Sequence, residues 1–152
     1  MKIEGVKHDG AKPRYDLLPP LALSAVASRW HGVSAGSRYD VISGLARWYT
    51  LQAPWHRRID ALARVTCRGL WLVSPDFGHA LLGTVRVLEF GARKYAEGNW
   101  RYVDDARRRY YRAAVGHLSR IGADDESEEP HWAHAACCLL FLLELEYART
   151  RI

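Results

Sequence analysis

The 152-residue chain has few of the features that assign a sequence to a specialised class. Its three cysteines, Cys67, Cys137 and Cys138, match neither a disulfide framework nor a CxxC metal motif. The apolar run that contains Cys137 to Leu143 stops at Glu144 and is much shorter than the roughly 20 residues of a membrane span. The first residues lack an apolar signal core. These absences predict a cytoplasmic protein without a membrane segment, in which the cysteines are small core residues.

Segments with the alternating pattern of a β-strand are also missing, and no internal repeat is visible. Apolar residues instead recur at helical spacing in residues 21–30, 39–73 (divided by Pro54), 78–95, 104–121 and 130–149. Residues 1–20 contain Pro13, Pro19 and Pro20 and are predicted to form an extended arm. The sequence therefore predicts an all-α fold with a single domain over residues 1–152.

The last predicted helix is apolar on every side from Ala133 to Leu143. A helix without a polar face has to be surrounded by other protein. Since a small protein surrounds one helix more easily by pairing with a second copy, we expect a homo-oligomer.

Imidazoles and carboxylates are concentrated before and at the start of this helix. His117 lies in the preceding helical segment, and His131 and His134 are three residues apart on one helical face. Between them, in a chain of net charge +5, lie the acidic residues Asp124, Asp125, Glu126, Glu128 and Glu129. Mixed nitrogen and oxygen donors favour Mn²⁺, Fe²⁺, Co²⁺ or Zn²⁺, and an oxygen-rich subset would suit Mg²⁺. The alternative is a solvated acidic loop beside half-buried histidines.

Basic side chains suggest what such a metal would act on. Arginine offers a planar fork for phosphate oxygens, and lysine offers a point charge. The candidates are Lys12, Arg14, Arg93, Lys94, Arg101, Arg107, Arg108, Arg109 and Arg112. The combination indicates metal-assisted phosphate chemistry, and the alternative is a solvated basic face or a weak nucleic-acid patch.

Three segments also resemble, in order, the motifs of a known family: HDGAKPRYDLLPP, VLEFGARKYAEGNW and YYRAAVGHLSRIGADDESEEPHWAHAACCLLFLLELE. The family is the phage-type dATP/dGTP diphosphohydrolase N-terminal family, which is similar to the MazG-like all-α NTP pyrophosphohydrolases. The resemblance implies a MazG-like helical bundle in which residues 31–80, approximately, form a helical insertion. It also implies hydrolysis of a dATP-like or dGTP-like deoxynucleoside triphosphate to monophosphate and pyrophosphate, in phage nucleotide-pool control.

The resemblance implies roles for individual residues as well. Glu126 and His117 are expected to be catalytic. The expected ligands of a divalent metal, Mg²⁺, Mn²⁺ or Co²⁺, are Glu89, Asp125, Glu126, His131 and His134. The expected substrate contacts are Lys12, Arg14, Lys94, Tyr95, Asn99 and Trp100, with the cations on the phosphates and the others at the base.

The chain departs from the family's pattern at Gly116, Ala123, Glu128 and Cys138. A second hypothesis is therefore a non-catalytic, basic phage accessory protein that binds nucleotide or nucleic acid. A third scheme, an HD-type metal phosphohydrolase, needs an adjacent His-Asp pair. That pair occurs as His8 and Asp9 in the arm and not at the helical site.

Overall fold

The computed structural model describes residue 10 and residues 12–150; the His8 and Asp9 pair lies outside these residues. The described part contains six α-helices: α1 (Pro20–Ala27), α2 (Arg38–Thr50), α3 (Trp55–Val73), α4 (Phe77–Lys94), α5 (Ala106–Leu118) and α6 (His131–Arg149). Single 3-10 turns occur at Tyr15–Leu17, Trp30–Gly32 and Asn99–Tyr102. No strand occurs among residues 12–150, and the one β-type contact is an isolated bridge between Ala123 and Pro130. The all-α prediction is confirmed.

The helix boundaries follow local sequence signals. Pro54 immediately precedes α3 and separates it from α2, as predicted. Pro20 is the first residue of α1, where its missing N–H would have no helical partner. At the start of α2, the Ser37 hydroxyl accepts a hydrogen bond from the Asp40 N–H, and the Asp40 carboxylate accepts one from the Ser37 N–H. This capping box fixes the N-terminus of α2.

Helix α6 lies at the centre of the molecule and contacts α1, α3, α4 and α5. Most of its side chains from Ala133 to Leu143 are buried by these helices of the same chain. A second copy is therefore not needed to surround α6. The homo-oligomer stays a prediction, but the apolar surface of α6 no longer supports it. Although α6 is rich in apolar residues, no helix in the described part is long and apolar enough to cross a membrane.

Helices α2 and α3, which the family resemblance assigns to an insertion, contribute residues to the hydrophobic core. Helix α3 packs tightly against α6 at Gly69, where an added Cβ would overlap Cδ1 of Leu139. Helix α2 approaches α3 in the same way at Gly44, where an added Cβ would lie 2.7 Å from Cγ2 of Val65. Both contacts depend on the missing side chain, so these glycines set the spacing of the three helices.

Two carboxylates near the end of α6 are buried, Glu144 and Glu146. Oε2 of Glu144 accepts a hydrogen bond of 2.8 Å from the backbone N–H of Ala22, in the first turn of α1. An N–H in a first turn has no partner within its own helix, so Glu144 supplies the missing acceptor. Glu146 forms an ion pair with Arg58 of α3. Each buried carboxylate is thus paired with a different neighbouring helix.

The three cysteines are buried and free, which confirms their prediction as core residues. Burial raises the pKa of the Cys67 thiol to about 11 and that of Cys138 to about 12. These thiols are therefore protonated at neutral pH and behave as small apolar side chains.

Candidate active site

A cleft of about 800 Å³ lies between the end of α4, the turn that follows it, and one face each of α5 and α6. The turn reverses direction at Gly98, which has a φ of 70°, a conformation that glycine adopts without strain. The lining residues follow helical spacing: Arg109, Ala113 and His117 in α5, and His134, Cys138 and Phe141 in α6. The end of the cleft that His117 and His134 line is therefore polar. The next turn of each helix contributes an apolar lining residue, Ala113 in α5 and Cys138 in α6.

Three histidines meet at the junction of α5 and α6. His117 is in the last turn of α5, His131 is the first residue of α6, and His134 follows one turn later. Nδ1 of His117 lies 3.0 Å from Nδ1 of His131. The rings of His117 and His134 stack with centroids 4.8 Å apart and an interplanar angle of 17°. The structure thus brings together the three imidazoles that the sequence concentrates before and at the start of this helix.

Burial keeps two of these imidazoles in the neutral form. The pKa of His117 is lowered to about 4, mainly by burial and also by charge repulsion from the neighbouring His134 and His131. Burial also lowers the pKa of His134. At neutral pH both rings therefore keep a free lone pair, which is the form that coordinates a metal.

The loop between α5 and α6 fixes the position of Asp124. Oδ1 of Asp124 accepts hydrogen bonds of 3.1 Å from the N–H groups of Ser127 and Glu126, which lower the pKa of this carboxyl. Oγ of Ser127 also lies 2.6 Å from Nε2 of His134. Gly122, with a φ of 91°, allows the chain to turn, and its carbonyl accepts from the His131 N–H. The loop therefore holds an ionised carboxylate beside the histidines.

Among the described residues, one group places three potential ligand atoms within 4.8 Å of one another: His117, Asp124 and His131. The 3.0 Å separation of the two Nδ1 atoms is close to the roughly 3.3 Å expected for two nitrogens bound at 2.0–2.1 Å to one tetrahedral ion. Two imidazole nitrogens and a carboxylate oxygen fit a divalent transition metal. These three residues could therefore hold a metal ion.

The other predicted ligands lie outside this group. Asp125 is exposed, and Glu126 forms an ion pair with Lys94. Glu89 of α4 accepts a 2.8 Å hydrogen bond from the backbone N–H of Arg14 in the arm. The resemblance leads to the prediction that Asp125 is a ligand, whereas the geometry places its neighbour Asp124 with the histidines. The roles of Glu89, Asp125, Glu126 and His134 as ligands stay predictions.

Four of the six predicted substrate contacts line the cleft: Lys94, Tyr95, Asn99 and Trp100. Nζ of Lys94 lies 2.6 and 2.7 Å from the two carboxylate oxygens of Glu126. This contact raises the pKa of Lys94, so the amine is charged at neutral pH. The Tyr95 side chain is 64% exposed and lies under the same amine, which is 5.3 Å from its ring centroid. A cation and an accessible aromatic ring are thus adjacent at the rim.

Trp100 forms part of the cleft wall. Its ring stacks on Phe141, with centroids 4.5 Å apart and an interplanar angle of 10°. The guanidinium of Arg101 lies 4.1 Å from the centroid of the same ring. Trp100 is only 9% exposed, so its ring is less accessible to a base than that of Tyr95. Sequence reasoning missed Phe141 and Cys138 as lining residues, although their spacing from His134 places all three on one face.

The remaining predicted substrate contacts, Lys12 and Arg14, do not line the cleft. The Arg14 guanidinium forms ion pairs with Asp16 and Glu97. Since two carboxylates compensate its charge, Arg14 joins the arm to the turn after α4 rather than presenting a free cation to the cleft.

The arginines of α5 point in different directions. Arg107 donates a 2.9 Å hydrogen bond to the carbonyl oxygen of Tyr49 in α2 and lies over the Tyr49 ring. Arg108 pairs with Asp105, and only Arg109 of these three lines the cleft. The positive charges of Arg107, Arg108 and Arg109 are therefore not directed at a single surface of the helix.

Comparison with known proteins identifies a family for this chain. The family described as dATP/dGTP diphosphohydrolase, N-terminal, matches residues 65–152. This region includes α4 to α6, the candidate metal ligands and most of the cleft, but not the arm. Searches of curated proteins and of solved structures gave no match. Because the match covers more than half of the chain, the protein belongs to the dATP/dGTP diphosphohydrolase N-terminal domain family.

Proposed function

We propose that the protein hydrolyses a deoxynucleoside triphosphate of the dATP or dGTP type to the monophosphate and pyrophosphate, with a divalent metal, in phage nucleotide-pool control. The supporting observation is that His117 and Asp124, two of the three candidate ligands, lie in the wall of the cleft. The cleft volume of about 800 Å³ falls within the range of about 300–1,000 Å³ typical of small-ligand sites. The family description supports the class of substrate.

His117 and His131 would hold the metal as imidazoles, and Asp124 would hold it as a carboxylate. A divalent ion bound there supplies positive charge for the phosphates and lowers the pKa of a coordinated water. The mixed donor set favours Mn²⁺ or Co²⁺ over Mg²⁺, which prefers a shell of oxygen ligands. The backbone N–H groups that bind Asp124 keep this carboxylate ionised and oriented before any ligand arrives.

The Lys94 and Glu126 pair would connect substrate binding to catalysis. In the structure the two side chains neutralise each other. A triphosphate entering the cleft offers Lys94 several anionic oxygens, which form charge-assisted hydrogen bonds with an amine. Lys94 would then leave Glu126, and the freed carboxylate could accept a proton from the attacking water. Arg109, on the α5 face of the cleft, would bind a further phosphate oxygen.

The base would lie toward the turn after α4. The exposed ring of Tyr95 offers a stacking surface, and the Asn99 amide offers both a donor and an acceptor for the edge of a purine. Trp100, supported by Phe141, would form the wall behind the base.

The test is to incubate the purified protein with each of the four deoxynucleoside triphosphates and Mn²⁺, Co²⁺ or Mg²⁺, and to separate the products. We expect purine monophosphate and pyrophosphate, with a loss of about 100-fold in rate for Asp124→Asn. Asp104→Asn, an exposed carboxylate before α5, is the matched control and should retain activity.

Other products would change the proposal in defined ways. Diphosphate and phosphate would show that a different bond is cleaved. Intact triphosphate with every metal, together with measurable nucleotide binding, would support the non-catalytic alternative.

A further inference from the structure

A second, smaller cavity of about 240 Å³ lies between the end of α1, the loop that follows it, and α3. It shares no lining residue with the cleft. Three of its lining residues are the arginines Arg29, Arg64 and Arg68, and none is a carboxylate. The lining of the cavity is therefore rich in positive charge, and none of these arginines has a role in the proposed hydrolysis.

One carboxylate outside the lining, Asp60, holds two of these arginines in place. Nη2 of Arg29 lies 3.3 Å from Oδ1 of Asp60, and Nη1 of Arg29 donates a 3.0 Å hydrogen bond to the carbonyl of Ala25. Arg64 donates from Nε to the other oxygen of Asp60 at 2.9 Å. Arg64 uses only Nε for this contact, so neither of its terminal nitrogens has a partner among the described residues. The two guanidiniums are thus oriented by a single negative charge.

The third arginine, Arg68, is half-buried, and its aliphatic stem packs against Gly36. Within residues 12–150 its guanidinium has no hydrogen bond and no ion pair. Asp40 is near enough to interact with its charge, but the Asp40 carboxylate accepts from the N–H and hydroxyl of Ser37 at 2.8 and 2.9 Å. A half-buried guanidinium without a protein acceptor is a ready donor for an anion.

We propose that this cavity binds a phosphate-type anion, either free pyrophosphate or the phosphate groups of a nucleotide. Three guanidiniums from two sides of one cavity match the several oxygens of such an anion. The cavity volume of about 240 Å³ is smaller than the roughly 300–1,000 Å³ of sites that enclose a whole small ligand. It therefore accommodates phosphate groups and leaves any base outside. The site lies apart from the cleft, so the inference does not rest on the proposed hydrolysis.

Isothermal titration calorimetry with sodium pyrophosphate tests the site in the full chain. EDTA is present throughout, so that no metal contributes to binding in the cleft. We expect one equivalent of pyrophosphate to bind, and Arg68→Gln and Arg64→Gln each to weaken the binding about tenfold or more. Arg57→Gln is the matched control, because Arg57 is exposed on the same helix and lines neither cavity. The Arg57→Gln variant should bind pyrophosphate with the same affinity as the unmodified protein.

Circular dichroism checks that the variants are folded, and Arg64, with 70% of its side chain exposed, can be replaced without disturbing the core. Titration with dATP then distinguishes the two sources of phosphate. Tighter binding of dATP than of pyrophosphate, lost in Arg68→Gln, supports a nucleotide, and weaker binding of dATP supports the free anion. Absence of pyrophosphate binding, unchanged affinity in both cavity variants, or an equal loss in Arg57→Gln overturns the proposal.

Discussion

Nδ1 of His117, at the end of α5, lies 3.0 Å from Nδ1 of His131, at the start of α6. At this distance at most one of the two facing nitrogens can carry a proton, unless the rings move apart. The contact joins two helices that also pack along much of their length. The protonation state of the histidines is therefore coupled to the packing of α5 against α6.

The first prediction concerns stability in mild acid without metal. The folded-state pKa of His117, about 4, lies below its ordinary value of 6.5, so the unfolded chain binds more protons between these pH values. The stabilisation is fully present above pH 6.5 and is lost as the pH falls toward 4. Since the ring is only half-buried, we expect a loss of about 1–2 kcal/mol in the free energy of unfolding.

Urea unfolding in EDTA at several pH values between neutral and mildly acidic measures this effect. His117→Gln should show a weaker dependence of stability on pH than the unmodified protein. His56→Gln, which replaces an exposed histidine of α3, is the control and should keep the original dependence. If His117→Gln keeps the full dependence, another group is responsible.

The second prediction separates two adjacent carboxylates. Asp124→Asn keeps an Oδ1 acceptor for the loop N–H groups and removes only the charge, so the loop should stay in place. We expect it to weaken Mn²⁺ binding about 10-fold to 100-fold, measured by calorimetry. Asp125→Asn should have a smaller effect, because the Asp125 side chain is exposed. The reverse order would favour the assignment taken from the family motif.

The third prediction concerns the contact of α3 with α6. Gly69→Ala adds a methyl group where Cδ1 of Leu139 already lies, so we expect a loss of about 1–3 kcal/mol in the free energy of unfolding. Gly116→Ala in α5 is the control, since nothing lies within 4 Å of its added Cβ. That variant should be as stable as the original or up to about 1 kcal/mol more stable through helix propensity. Similar stabilities for the two variants would mean that α3 and α6 can move apart at Gly69 without a loss of stability.

The fourth prediction concerns the buried pair of Arg58 and Glu146. Arg58→Met leaves the Glu146 carboxylate, which is 4% exposed, without its partner, and should cost about 3–5 kcal/mol of stability. Replacing both residues, by Arg58→Met with Glu146→Leu, removes the unpaired charge and should recover most of the loss. Chemical denaturation of the two variants measures the difference. A double variant no more stable than Arg58→Met would show that the ion pair itself is the stabilising element.

Much of the helical fold could be predicted because its signals are local. Pro54 separates α2 from α3 as the sequence indicates, and the last helix ends at Arg149 as predicted. The surroundings of α6 could not be predicted in this way, because they depend on non-local packing. Four other helices of the chain cover its apolar surface, and no local signal indicates that.

The candidate site was less predictable from sequence. The spacing of His131 and His134 indicates their common face, but the choice between Asp124 and Asp125 depends on backbone N–H groups whose direction only the folded loop determines. The pairing of Lys94 with Glu126, 32 residues later in the chain, likewise depends on how α4 packs beside that loop.

The two buried carboxylates of α6 have a consequence for how precisely this helix is positioned. A helix that is apolar on every side could rotate or slide among its neighbours at little cost in free energy, because each leucine would move into the position of another leucine. Glu144 is bound to the first turn of α1 and Glu146 to α3, so any such shift would strand two charges in the interior. These two contacts favour a single position of α6 along and around its axis. They therefore also fix the positions of His131 and His134 relative to His117.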